Sequence, residues 1–299
     1  MPTLSTLLIM RLPKDLATLR RNYSFNSANV LTIDSNPKLS KDVKTKENLT
    51  VHIAGHHFLP VAYNACPSAS KACMACCLNT AGNPAYMSNK IARRGLRSKA
   101  FNQSPNEYMR LLVLEVARFV YKKSKGIYNP SERFAIRLNA TSDYKFEALP
   151  VVVDVELAEY IGEVFDLSLV PGKYNNIMEV FKRSPLKILT RNVVFYDYTK
   201  RIDRDLETCR KVGYDLSISW GSKHDVIKYA KENNLNIAAP MALKKSEPIP
   251  NELLGFPTVD GDQHDARFLD NKTVPHIVVL RWKRAKNETP ELKKAFCIA

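Results

Sequence analysis

Between Leu49 and Trp282 the chain alternates six or seven times between short β-branched runs and helical or loop segments. The strand-like runs are Leu49–Ala54, Arg133–Leu138, Asn192–Tyr198, Tyr214–Trp220, Asn236–Ala242, the weaker Phe256–Val259, and Pro275–Trp282. Between them, Met109, Leu112, Val113, Val116 and Val120 recur at the helical period. Ser104-Pro105 supplies a start for that helix and Gly126 a stop. Further helices are expected from about Glu156, over 202–212 and over His224–Asn233. Strands that alternate with helices predict a parallel sheet with helical crossovers. At 299 residues the candidates are a full or partial β/α (TIM-like) barrel and an open doubly wound sheet. The chain has neither a G-x-G-x-x-G nor a phosphate-loop signature, which favours the barrel-like arrangement.

Residues 1–48 read as a peripheral N-terminal extension, with Lys38, Lys41, Lys44 and Lys46 in a polar run. Residues 49–299 form the barrel-like domain that carries the chemistry. No run of eighteen apolar residues is present, so no membrane-spanning helix is expected. The apolar run Leu7–Met10 is too short for the core of a secretory signal. Lys and Arg number 45 against 30 acids, a net charge of +15. That balance suits an anionic partner, either nucleic acid or an anionic substrate. The densest basic stretch, with Arg93, Arg94, Arg97 and Lys99, follows the cysteine-rich loop and supplies the nucleic-acid candidates.

In β/α folds, ligands gather at the carboxyl ends of the strands. Polar clusters recur there: His56 and His57; Asn139, Thr141, Ser142 and Asp143; Tyr196 to Lys200; Ser219 to His224; and Asp260 to Arg267. From these, Asp143, Tyr198, Lys200 and His264 are candidate catalytic groups, and Asn139, Thr141 and Ser142 candidate cofactor contacts. Adjacent residues of a strand point to opposite faces, so only one of His56 and His57 faces the mouth. The same alternation puts Phe195 and Asp197 on one face and Tyr196 and Tyr198 on the other. Asp260, Asp262, His264 and Asp265 read either as a divalent-ion site or as ordinary turn chemistry.

Four of the six cysteines, Cys66, Cys73, Cys76 and Cys77, fall within twelve residues as C-x6-C-x2-C-C. Thiolates are soft metal ligands, and one compact cluster without a second knuckle favours iron–sulfur over zinc. The alternatives are zinc completed by His56 or His57, and four structural thiols. Vicinal Cys76 and Cys77 would bond each other only with strain.

The runs Arg137-Leu-Asn-Ala-Thr-Ser-Asp143 and Phe195-Tyr-Asp-Tyr-Thr-Lys200, with the loop opening Cys66-Pro67, resemble the gene product 88 family of bacteriophage proteins. The likeness covers about residues 49–285. It implies a viral protein acting in the bacterial host cytoplasm. The family's loop, C-P-x5-C-x3-C, maps onto Cys66, Cys73 and Cys77 and leaves Cys76 as an additional thiol. In layout, a cysteine loop after the first strand is similar to radical S-adenosylmethionine enzymes, although their C-x3-C-x2-C motif is not present. That likeness implies a [4Fe–4S] cluster, with S-adenosylmethionine as a further cofactor. Two functions follow as expectations: an iron–sulfur protein with redox or radical chemistry at the barrel mouth, or a nucleic-acid-binding protein with a structural iron–sulfur or zinc site. Nothing in the residues identifies a host protein partner.

Overall fold

The computed structural model describes residues 11–25, 30–33, 43–45, 48–77, 79, 87–283 and 289–298. Leu7–Met10, Lys38, Lys41 and Lys46 lie outside these residues. The strands are β1 (Leu31–Thr32), β2 (Val43–Lys44), β3 (Thr50–His56), β4 (Glu132–Arg137), β5 (Val151–Val153), β6 (Gly172–Tyr174), β7 (Val193–Thr199), β8 (Tyr214–Ser219), β9 (Ile237–Met241), β10 (Glu252–Leu253), β11 (Phe256–Asp260) and β12 (Ile277–Arg281). The helices are α1 (Lys14–Asn22), α2 (Lys71–Ala75), α3 (Met87–Gln103), α4 (Pro105–Ser124), α5 (Val155–Phe165), α6 (Ile177–Lys182), α7 (Lys187–Asn192), α8 (Leu206–Val212), α9 (Val226–Asn233) and α10 (Pro290–Phe296).

Ten strands form one sheet in the order β1-β3-β4-β7-β8-β9-β12-β11-β10, with β2 also on β3. From β3 through to β11 every pairing is parallel; β1, β2 and β10 add antiparallel edges. The expected mixed α/β class and mainly parallel sheet are therefore present. Among the described residues no pairing joins the β3 side to β10, so the sheet is open and no closed barrel forms. Strands β5 and β6 make a separate antiparallel pair.

Local chemistry sets the crossovers. Asp154, Asp205 and Asp225 cap α5, α8 and α9 by accepting from the backbone N–H three residues on. Gly213 and Asn234 end α8 and α9 in the left-handed conformation. Pro105 occupies the first turn of α4, where its missing N–H removes no helical bond.

The two sheet faces are covered differently. Phe134, Ile136, Phe195, Leu216, Ile218, Ile237, Ile277 and Val279 join the main core, where the sheet packs on α4 and on the short helices α7 to α9. The described parts of residues 11–48 enter the same core through Leu16, Leu19, Phe25, Val30 and Leu31. On the opposite face Val51, Ile53, Ala135 and Tyr196 pack with Ala266, Phe268 and Leu269. The connection from β11 to β12 thus folds across the sheet. Gly261 lets it start: a Cβ there would lie 2.5 Å from Val278 Cγ1 and 2.7 Å from Leu280 Cδ2.

Candidate functional site: a thiol-lined mouth

At the carboxyl end of β3 the two histidines diverge, as strand geometry requires. His56 is fully buried on the helical side; its Nδ1 donates to Leu138 O at 2.9 Å and its Nε2 accepts from Tyr108 Oη at 2.8 Å. Burial lowers its pKa to about 3, so the ring is neutral. His57 faces the other way, and its Nδ1 accepts from Arg94 at 3.3 Å. Burial, then the charges of Arg94, Arg97 and Arg137, pushes its pKa well below the usual imidazole range.

The segment after β3, with the cysteine loop, is pinned to the ends of β4 and β8. Asp143 N donates to Ala65 O at 2.7 Å, and Thr141 Oγ1 donates to Phe58 O at 2.7 Å. Ser70 N donates to Gly221 O at 2.8 Å, and Lys223 N to Ser68 O at 2.9 Å. Ser70 also caps α2, accepting from Cys73 N at 3.1 Å. Gly221 is a close-approach glycine: a Cβ there would sit 2.8 Å from Cys73 Sγ and 2.9 Å from Phe296 Cε2 of α10.

The six cysteines are free thiols. Cys66 and Cys77 are half-buried, Cys73 and Cys76 buried. Burial raises Cys66 to about 12 against the opposing pull of Lys200, with Asp143, Cys77 and Cys73 adding to the rise. Cys73 is likewise raised by burial, with Lys200 opposing. Burial works against the Lys200 ammonium, but Cys73, Cys66, Asp143 and Cys77 hold its pKa above the usual lysine value. The charges of Cys66, Cys73 and Cys77 thus all act on Lys200. Cys76 is buried at the end of α2 and acts on Cys73. Among the described residues no three His, Cys, Asp or Glu side chains converge as a single ion would require.

The other candidates occupy two settings. Asp143 is buried and accepts from Thr199 Oγ1 at 2.8 Å and Lys200 N at 2.7 Å, with Arg204 Nη1 3.6 Å away. It ties the β4 end to the β7 end and fixes the start of Lys200. Asn139 accepts from Ser142 Oγ and Tyr144 N and donates to Tyr144 O and Asp197. Asn139 and Ser142 thus brace the loop internally, and Thr141 presents its backbone carbonyl 4.0 Å from Cys66 Sγ.

Tyr198 and His264 lie with the segment that crosses the sheet. Tyr198 Oη donates to Asp265 at 3.5 Å, beneath the Arg137 guanidinium 4.3 Å from its ring centre. Tyr196 Oη donates to the same carboxylate at 3.1 Å, and Arg137 pairs with it at 3.3 Å. The tyrosines share a face, as the alternation predicts. His264 Nδ1 accepts from Arg267 at 2.9 Å, and burial and Arg267 lower its pKa. The divalent-ion reading of this segment gives way to ion pairs. Asp260 lies 2.9 Å from Arg281, Asp262 accepts from Arg281 N at 3.0 Å, and Asp265 is spent on Arg137.

The basic stretch is helical and splits by face. Arg93 and Lys99 are exposed on α3, whereas Arg94 and Arg97 are buried on its inward side. Arg94 donates to Asn79 Oδ1 at 2.7 Å as well as to His57. The i, i+4, i+7 spacing of Lys90, Arg94 and Arg97 carries this split in the sequence. Gly221, by contrast, has no local signal, because its constraint comes from Cys73 and Phe296, which are remote in the chain.

Fold and site together define a mainly parallel α/β protein with a cysteine loop seated at its strand ends. A family model described as Gene product 88 matches residues 29–299, and the chain belongs to that phage family. No curated protein and no solved structure matches it. None of these comparisons supports the likeness to radical S-adenosylmethionine enzymes. Among the described residues no helix is long and apolar enough to cross a membrane.

Proposed function

We propose that this is a phage iron–sulfur protein in which Cys66, Cys73 and Cys77 hold a [4Fe–4S] cluster at the mouth of the sheet. The observation that carries the reading is that Cys66, Cys73 and Cys77 lie, without disulfides, in one loop hydrogen-bonded to the β4 and β8 ends, where their charges act on Lys200. The donor set fits: three soft sulfurs, of which burial holds Cys66 and Cys73 protonated until a metal displaces the protons. A cluster takes one thiolate per iron, so its ligands stand apart rather than converge on one point. Such a group, when bound, supplies electron transfer, and with S-adenosylmethionine at an open iron it supplies radical chemistry. Lys200 offsets the negative charge of the thiolates, and Asp143 holds its backbone in place. In this reading the sheet is a partial barrel whose interior is filled by residues 261–272, and the host cytoplasm keeps the thiols reduced.

Anaerobic reconstitution tests the reading. Absorbance near ~400 nm is expected in the wild type and in Cys209→Ala, but not in Cys66→Ala. Colourless protein that holds one zinc per chain would overturn it. A nucleic-acid-binding role remains the second reading, favoured by the exposure of Arg93 and Lys99 on α3. It requires DNA or RNA affinity that falls steeply with salt.

A further inference from the structure

At the amino ends of the strands, away from the cysteine loop, the sheet is splayed. Strand β8 pairs with β9 only at Ile218 and Ser219, so Tyr214 to Ser217 have no strand partner on that side. A cavity of about 700 Å³ lies at this opening, between the end of α8, the turn after α9 and the segment that crosses the sheet. That volume is in the range of small-molecule sites. Leu206, Leu216, Leu235 and Phe268 give it an apolar lining. In this register Ile218 N donates to Asn236 O and Trp220 N to Ala238 O. Leu216, two residues earlier on the same strand, therefore turns its own N–H and C=O to the same side, into the opening.

The polar wall carries balanced charge: Arg210 and Lys272 against Asp215 and Glu232. Asp215 accepts from Lys272 Nζ at 2.9 Å through one oxygen, and its Oδ2 meets no described donor. Burial raises the Asp215 pKa above the usual carboxylate range, with Lys272 opposing. Arg210 donates from Nη2 to Asn233 O at 2.6 Å, which leaves Nε and Nη1 without a described acceptor. The amide nitrogens are spent on backbone carbonyls: Asn233 Nδ2 donates to Tyr229 O at 2.9 Å and Asn234 Nδ2 to Lys272 O at 3.0 Å. Their Oδ1 atoms take no bond from a described residue. The opening thus offers a guanidinium edge and a backbone N–H as donors, and a carboxylate oxygen, two amide oxygens and a backbone C=O as acceptors.

We propose that this cavity binds a free α-amino acid with an aliphatic or aromatic side chain. The ligand carboxylate meets the planar guanidinium of Arg210 and Leu216 N–H, and its ammonium meets Asp215 Oδ2 and the free amide oxygens. The side chain is buried on Leu206, Leu235 and Phe268. Two cations facing two carboxylates favour a zwitterion, because a ligand with one charge leaves half of the wall without a counterpart. This site stands on α8, β8 and the turn after α9, and does not depend on a metal at the thiols.

Titration calorimetry of the full chain with L-leucine and L-phenylalanine tests it. Saturable binding of at least one is expected, weakened roughly ten- to hundredfold in Asp215→Asn and in Arg210→Gln. Phenethylamine and 3-phenylpropionate, which each lack one of the two charges, should bind at least roughly tenfold more weakly than L-phenylalanine. Lys99→Gln removes an exposed cation from α3, at a distance from the cavity in the fold, and should leave binding unchanged. If Asp215→Asn fails to fold, the exposed Arg210 decides alone. Absence of saturable binding by both amino acids, equal affinity for either singly charged analogue, or equal weakening in Lys99→Gln and Arg210→Gln would each overturn the proposal. The cluster reading is judged separately, by absorbance.

Discussion

Alanine at Gly221 isolates the contact that seats the cysteine loop. The backbone of Gly221 is not among the glycines with positive φ, so the substitution adds no backbone strain. Its effect is a balance of two terms. A lower entropy of the unfolded chain favours alanine by about 0.4–1 kcal/mol. Overpacking opposes it by about 1–3 kcal/mol. The steric term wins here because the new methyl meets Cys73 twice, 2.8 Å from Sγ and 3.0 Å from Cβ, and meets Phe296 at 2.9 Å. Rotating the thiol relieves only the first contact, so α2 or α10 must shift, against the hydrogen bonds Ser70 N–Gly221 O and Lys223 N–Ser68 O. The two terms differ by about 0–2.6 kcal/mol; with three contacts at or below 3.0 Å the upper part, about 1–2.5 kcal/mol of net loss, is expected, read by urea denaturation. Faster alkylation of Cys73, mapped by mass spectrometry, should accompany it. Gly162→Ala is the matched control: it lies inside α5 with its nearest contact at 3.8 Å, so a gain of about 0.5–1 kcal/mol is expected. A Gly221→Ala protein as stable as the wild type, with unchanged Cys73 labelling, would refute the reasoning.

Two further substitutions probe the groups behind the mouth. Arg204→Met removes a guanidinium that donates twice to Glu147 at 2.7 Å and lies 3.6 Å from Asp143, all three side chains being buried. Glu147 is left buried without its cation, while Asp143 keeps its bonds from Thr199 and Lys200 N, so a loss of about 3–5 kcal/mol in urea is expected, partly restored by adding Glu147→Gln; a loss below about 1 kcal/mol would contradict the ion-pair account. Asp197 accepts from Asn139 N and from Tyr214 Oη, yet burial outweighs these bonds and raises its carboxyl from 3.8 to about 7. The folded state therefore binds a proton that the unfolded state releases: the contribution is fully present below about pH 4 and lost as pH rises through about 7. An infrared band of a protonated carboxyl at pH 5–6, absent in Asp197→Asn, checks this; the same band in the variant would sink it.

Much of the architecture was legible because it rests on local chemistry. β-Branched alternation located β3, β4, β7 and β8 within a residue or two, and Ser104-Pro105 marked the start of α4. Strand alternation sorted His56 from His57 and Phe195 from Tyr196 without coordinates. Other elements carried little pattern of their own. The pair β5 and β6 has three residues in each strand, too short for a period to register. Helix α3 was hidden behind its charges, because Arg94 and Arg97 sit where a helix ordinarily places apolar residues.

By itself the sequence determined the alternation of strand and helix, the polar chemistry at each strand end, and the thiols of Cys66, Cys73 and Cys77 in one loop, all properties of neighbours along the chain. Tertiary structure alone decided that no pairing among the described residues closes the sheet, that β12 inserts between β9 and β11, and that residues 261–272 cover the second face. It also decided that Lys200 feels the charge of the three thiols, and that Asp143 and Asn139 brace loops. These outcomes depend on contacts between residues tens to hundreds of positions apart, such as Asp265 with Arg137 and Gly221 with Cys73. Their energies come from burial and from charge pairing in the assembled interior, which no local window of sequence contains.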